Sequence, residues 1–382
     1  MSMLQKLKAI FEKAQPVSIF DVPVAEQRRF WEQFPKPKDD LERSYYQYLC
    51  QRYLMRRGRG ALLNCGAIFL LPLYCWTLRK ATTGINGDEG KKGAIFPFFE
   101  NPETLPLSLR QEFDIQRKPD FQKKMHLTQA DFHYLQQIRR KYPFSFYFRL
   151  KCMLKLAMYS YAIDFSHPKA IICSQEYSFT CSFLTDYCRF RGVEHINIMH
   201  GEKLYFIRDS FVHFDRFYVW DQHYVDLFKG LGAEETQFRI EVPPSLRFPP
   251  LEPIDKQMDY TYYLGNETLE QIEDILANLA ILRERGAKVA IRIHPIYFSH
   301  SKFLRENPRG FAIEQKEDCS IEESLLRTGC AISLYSTVLL QAAFNNIPYA
   351  IDDLSNPLLF KRLKEMRYLL LSKPYTLLSE LI

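Results

Sequence analysis

The stretch that decides the fold runs from residue 288 to 352. It reads VAIRIHPIY at 289–297, EDCSIEESLL at 317–326 and TGCAISLYSTVLLQAAFNNIPYAID at 328–352. Two short apolar runs, 289–293 and 331–333, have the length and bounding of buried parallel strands. Each ends in polar residues: Arg292, His294 and Pro295 on the first, Ser333, Ser336 and Thr337 on the second. In open α/β sheets, ligands sit beyond the carboxyl ends of the strands. Hydroxyls leading into a helix at 338–344 would also offer backbone N–H groups and a positive dipole to an anion. This is the chemistry of a phosphate site, so the stretch reads as a nucleotide pocket.

Working outward, the same pattern continues on both sides. Strands are expected at 260–264, 311–314 and 349–351, with an amphipathic helix at 267–285 and two helical pieces over 358–382. Five prolines within 242–253 (VPPSLRFPPLEP) mark a linker, since proline continues neither a helix nor a central strand. Before it, strands at 94–99, 170–173, 195–199 and 216–220 alternate with helices at 127–141 and 148–163. Strands alternating with helices predict a parallel sheet, so the chain reads as α/β with two halves. A loop is expected at 82–93, a charged helix at 39–57, and a lysine-bearing amphipathic segment at 1–14.

The most apolar window is 61–76, ALLNCGAIFLLPLYCW, directly after RRGRG. At about 16 residues it is shorter than the roughly 20 needed to span a bilayer, and it contains Asn64 and Pro72. Two readings stand: a buried helix or strand, or a segment lying in a membrane surface beside a basic patch.

The bulk numbers limit the function. At 382 residues the chain holds two domains with full cores, and 47% hydrophobic with 25% charged residues excludes wholesale disorder. The 30 Phe and 23 Tyr fit either bulky cores or a protein that handles sugars or lipid surfaces. The net charge of +6 is concentrated in the first half, at 56–59, 123–124 and 139–141. With no nucleic-acid-binding signature, that excess points to an anionic substrate or lipid surface rather than to nucleic acid. Nine cysteines without a framework, and no signal peptide, suggest reduced thiols in the cytoplasm. Scattered histidines predict no metal site.

Further residues carry candidate chemistry. INIMHGE at 196–202 ends an apolar strand at His200, where an imidazole can take a proton near neutral pH and Glu202 can orient it. The alternative is a turn histidine bonded to backbone. Arg292 and His294 leave their strand on one face and could neutralise a diphosphate. Ser320 with Glu323 forms a capping-box pattern, which explains Glu323 structurally; a ribose-binding carboxylate explains it equally well.

Taken in order, HG, HP, SIEE, SLYST and the downstream IP resemble bacterial GT-B glycosyltransferases that build surface polysaccharides from cytidine nucleotides. One branch holds the sialyltransferases, polysialyltransferases and Kdo transferases; the other holds teichoic-acid-type glycerophosphotransferases. The resemblance covers 288–352, is partial around 195–220, and is absent before residue 94. It implies two Rossmann-like domains facing a cleft, an acceptor domain at 61–245 and a nucleotide-donor domain at 246–355. Residues 1–60 read as a helical extension that could lie on a membrane surface or pack on the acceptor domain, and 356–382 as terminal helices.

By the same resemblance, His294 meets the donor phosphate, and Ser333, Ser336 and Thr337 bind it. Glu323, or else Glu322, holds the ribose, and His200 matches the base of the phosphotransferase branch. The sialyltransferases use an Asp or Glu base, for which Glu176 and Glu202 are candidates, with Asp209 and Asp215 weaker. The phosphotransferases place an Asp before the serines, where this chain has Leu334. The implied activity is transfer of sialic acid or a Kdo-like sugar from a CMP donor to a capsule or lipooligosaccharide acceptor. No cofactor or metal is implied, and the setting is the cytoplasm, with possible peripheral contact at the inner face of the cell membrane. Alternatives are CDP-polyol phosphotransfer, a UDP-hexose transferase, or a catalytically dead GT-B binding or assembly protein.

Overall fold

A computed structural model describes residues 19–55, 58–79, 93–95, 101–116, 124–199, 201–248, 255–295, 298–306 and 309–382. The segment 1–14, nearly all of the loop at 82–93, residues 96–99 of the first expected strand, and His200 lie outside the described residues. The chain divides into two compact units: Met1–His200 with Tyr205–Val242, and Gly201–Leu204 with Pro243–Ile382. The division at Val242/Pro243 falls where the proline run begins.

In the first unit a six-stranded parallel sheet has the order β2-β1-β3-β4-β5-β6. Its strands are β1 (Gly93–Ile95), β2 (Asp114–Gln116), β3 (Ala170–Cys173), β4 (Glu194–Ile198), β5 (Arg216–Val219) and β6 (Phe238–Ile240). The three-residue edge strands β2 and β6 are too short to show a period in sequence. The helices are α1 (Val24–Trp31), α2 (Asp40–Tyr53), α3 (Arg59–Thr77), α4 (Leu107–Glu112), α5 (Gln129–Lys141), α6 (Phe146–Ser166), α7 (Cys181–Phe190) and α8 (Gln222–Gly230).

Helix α2 is integral to this unit rather than an extension. Asp39 caps it by accepting from the Glu42 N–H, and its buried Ser44 accepts from the Phe183 N–H on α7 at 2.8 Å. Many of the aromatics are core, while Phe69, Trp76 and Phe144 are exposed. Tyr45 stacks on Tyr142 with centroids 3.7 Å apart, and Tyr48, Tyr147, Phe148 and Phe179 pack around them.

The second unit has a six-stranded parallel sheet in the order β12-β11-β10-β7-β8-β9. Its strands are β7 (Met258–Tyr263), β8 (Val289–Arg292), β9 (Ala312–Glu314), β10 (Thr328–Ser333), β11 (Tyr349–Ile351) and β12 (Thr376–Leu377). Counted from β7, this is the 3-2-1-4-5-6 order of the Rossmann fold, with strand order reversing between β7 and β10. All four residues of β8 are buried, as a strand covered on both faces requires.

Helices α9 (Leu269–Glu284), α10 (Phe298–Glu306), α11 (Ile321–Arg327), α12 (Thr337–Phe344), α13 (Pro357–Glu365) and α14 (Leu378–Leu381) complete the unit. Thr268 and Gln271 form a capping box that starts α9, whose Ile272, Ile275, Leu276 and Leu279 fill an aliphatic core. The tail expected as two helical pieces also contains β12, a two-residue strand paired with β11. The α/β class with two Rossmann-like halves is what the structure has.

Candidate functional site

In the second unit, the carboxyl edge of the sheet sorts the expected residues by depth. Ser333, the last residue of β10, is fully buried, and its hydroxyl donates to the Tyr263 carbonyl at 2.8 Å. It thereby stitches β10 to β7 at the point of strand reversal. Three residues on, Ser336 is the N-cap of α12 and accepts from the Val338 N–H at 3.2 Å. Ser336 is half-buried and Thr337 exposed, so these hydroxyls stand at an accessible helix N-terminus.

Arg292 closes β8, where it is buried and engaged by the protein. Its guanidinium donates to the Cys319 carbonyl at 2.7 Å and lies 3.4 Å from the Glu314 carboxylate. Glu314 also accepts from Ser324 of α11 at 2.5 Å. Arg292 is thus a clamp that holds β9 and the loop entering α11. Two residues further, His294 is half-buried and Pro295 exposed. Burial lowers the pKa of the buried His300 on α10; a bond to the Glu267 main chain opposes this, and nearby His294 adds to it.

On α11, Glu323 completes the expected capping box. Ser320 N–H donates to its carboxylate at 2.8 Å, and Glu323 N–H donates to Ser320 Oγ at 3.0 Å. That backbone bond from Ser320 holds Glu323 below the usual carboxylate range. Glu322 stays outside the cap and is half-buried.

Sequence reasoning missed two acids at this edge. Glu267 follows β7 in the run LGNE, and its carboxylate accepts from the Gly265 N–H at 2.6 Å. Burial pushes its pKa up. A Cβ placed on Gly265 would lie 3.5 Å from Glu267 and 3.7 Å from the Tyr335 carbonyl. The loops after β7 and β10 therefore meet there. Asp352, just after β11, is fully buried and accepts from the Tyr262 hydroxyl at 2.7 Å and the Leu354 N–H at 2.9 Å. The available signal was position: both acids follow strands directly, and Glu267 follows the first strand of the unit.

The segment Gly201–Leu204 groups with this unit. Burial pushes the Tyr335 hydroxyl up, and the Glu202 carboxylate adds to it. Tyr335 packs edge-on against Tyr368, with centroids 5.4 Å apart. Glu202 consequently belongs with the SLYST loop.

In the first unit, Glu176 lies at the carboxyl end of β3, fully buried, and accepts from Asn197 Nδ2 on β4 at 3.0 Å. Its carbonyl accepts from Gln47 of α2 at 2.8 Å. His195 is also sealed in, with Thr185 Oγ1 at 2.8 Å and Tyr159 Oη at 3.0 Å, and burial lowers its pKa to about 3. The weaker candidates are framework as well. Asp209 pairs with Arg208 at 2.7 Å, and Asp215 pairs with Arg189 at 2.6 Å.

No family model matches this chain, and neither does any curated protein. Solved structures show distant likeness. A UDP-N-acetylglucosamine 2-epimerase from Rickettsia bellii aligns at TM-score 0.41 and 11% identity, over 68% of this chain and 77% of that one. MnaA of S. aureus, solved with UDP, aligns at TM-score 0.44 and 11% identity, over 70% and 80%. The wall teichoic acid polymerase TagF aligns at TM-score 0.37 and 12% identity, over 77% and 78%. Likeness at this distance carries no chemistry across, and the fold class rests on the two parallel sheets themselves.

Proposed function

We propose that the chain is a nucleotide-sugar-dependent, metal-independent GT-B glycosyltransferase of bacterial surface polysaccharide synthesis. Its donor is CMP-linked, a sialic acid or Kdo-like sugar, and its acceptor is an oligosaccharide or lipid-linked saccharide at the cytoplasmic side of the membrane. One observation carries the reading: at the strand reversal of a Rossmann-ordered sheet, the capped N-terminus of α12 presents Ser336 and Thr337 at an accessible edge. His294 leaves β8 at the same carboxyl edge. The choice of cytidine rests on the HP and SLYST resemblance alone.

In this reading an acceptor hydroxyl attacks the anomeric carbon as the bond to the phosphate oxygen breaks. Charge builds on the departing CMP phosphate, where His294, Ser336, Thr337 and the α12 N-terminus stabilise it. With Arg292 and Ser333 engaged inside the protein, these outer groups take the phosphate role. Glu322, outside the capping box, takes the ribose in preference to Glu323. The acceptor's proton passes to a base, for which Glu202 is preferred over the buried Glu176 because it stands with the SLYST loop.

Thermal unfolding with CMP, CDP, UDP, GDP and ADP tests the reading. A ligand that binds only the native state adds about 2.7 kcal/mol at a hundredfold excess over Kd. Stabilisation by CMP, absent in His294→Ala, is the expected result. A shift with UDP or GDP alone would refute the cytidine donor, and no shift with any nucleotide would refute the enzyme reading.

A further inference from the structure

Helix α3 breaks the burial rule that the other long helices follow. It covers Arg59–Thr77 at a mean hydropathy of 1.4, yet only 22% of that apolar window is buried. One side is docked. Leu63, Ala67 and Tyr74 are buried, and Asn64 donates to the Phe144 carbonyl at 3.1 Å while accepting from the Tyr147 N–H at 3.0 Å. The other side faces solvent. Leu62 is 72% exposed, Phe69 78% and Trp76 78%, with Ile68 and Leu73 also exposed. At 3.6 residues per turn these positions form one stripe along the helix. Phe144, whose carbonyl accepts from Asn64 of this helix, is 81% exposed.

This helix is neither the buried core element nor the strand that the first reading of 61–76 allowed. Because its Leu63–Tyr74 side is packed on the unit, it lies along the surface and does not leave it. A large contiguous apolar patch marks an interaction site, and the charge around it selects the partner. From Arg52 to Lys80 the sequence holds Arg52, Arg56, Arg57, Arg59, Arg79 and Lys80, with no acidic residue. Arg52 reaches to 3.0 Å from the Cβ position of Gly60 at the start of α3, and Arg79 follows its end. Arg149 of α6 acts electrostatically on Cys75 of α3. Upstream in the chain, Asp39 and Glu42 pair with Lys141. Aromatic and aliphatic residues on one face with cations at its ends match the headgroup boundary of an anionic bilayer.

We infer that the exposed face of α3, with Phe144, docks the chain onto an anionic phospholipid surface, inserting Phe69 and Trp76 without crossing it. This stands independently of the nucleotide reading. The test is flotation of the full chain with vesicles of phosphatidylcholine alone or with a third phosphatidylglycerol. The expected result is binding to the anionic vesicles, weakened at least tenfold by Phe69→Glu with Trp76→Glu and reduced by 0.5 M salt. Unchanged circular dichroism and unfolding midpoint show that the variant folds.

A second readout needs no charge insertion. Anionic vesicles should shift tryptophan emission to the blue, and Trp76→Phe should remove most of that shift although two other tryptophans remain. Failure of the unmodified chain to float, or equal binding by the double variant, overturns the inference. So does a dimer that the double variant dissociates, which would assign the face to a second copy.

Discussion

The carboxyl edges of the two parallel sheets differ in what their polar residues are bound to. In the first unit Glu176, beyond β3, and Asn197, near the end of β4, are fully buried and bonded to neighbouring strands and helices, as is His195 nearer the start of β4. In the second unit Arg292, Ser333 and Asp352 are equally buried, but His294, Ser336 and Thr337 lie two to four residues beyond the strand ends and reach solvent. Distance past the strand end does not decide this, since Glu176 lies three residues beyond β3 and is still buried; what packs over the loop separates a group that holds the sheet from one that can meet a ligand. Residue type alone does not tell them apart.

The largest effect that would break this distinction is at Arg292. Arg292→Met leaves Glu314 and the Cys319 carbonyl without their buried cation and should cost about 3 kcal/mol in urea unfolding. A variant as stable as the parent would mean that Arg292 is not a clamp. In the first unit, acid should act through His195. Its folded pKa, lowered to about 3, lies below the unfolded value of 6.5. The unfolded chain therefore binds the extra proton, and stability is intact above pH 6.5 and falls towards pH 3. The slope is about 1.4 kcal/mol per pH unit. His195→Gln should flatten that part of the profile; an unchanged slope would show that His195 is not sealed.

The paired serines sharpen the comparison. Ser333→Ala and Ser336→Ala should each cost about 1 kcal/mol, one through a lost buried hydrogen bond and the other through a lost cap. Only Ser336→Ala should weaken nucleotide-dependent stabilisation, measured by thermal unfolding with CMP. Equal loss in both would place Ser333 at the ligand as well. The smallest expected effect is the change in intrinsic stability of His294→Ala, within about 0.5 kcal/mol, together with loss of the nucleotide shift. A His294→Ala chain that unfolds early would make that histidine part of the framework.

Much of the second unit was legible because its signals are local. VAIR, CAIS and YAI are short continuous apolar runs, and SIEE announces its own cap, since both partners lie within one helical turn. Strands β2, β6 and β12 escaped because two or three residues carry no period, and an edge strand exists only through its neighbour. Glu267 escaped for a related reason: LGNE looks like an ordinary turn until β7 is known to be the first strand at the reversal. His195 and Glu176 were hard to separate from functional groups, because their partners Thr185, Tyr159 and Asn197 are supplied by other elements.

By itself the sequence determined the α/β class, the apolar character of 61–76 and the capped entry to α11. These depend on composition and on contacts within a few residues. Tertiary structure decided which polar side chains are buried, that Arg292 and Ser333 bind protein, that Glu202 groups with the SLYST loop, and that α3 turns an apolar face outward. Burial is a property of what packs around a residue, and those neighbours come from distant parts of the chain.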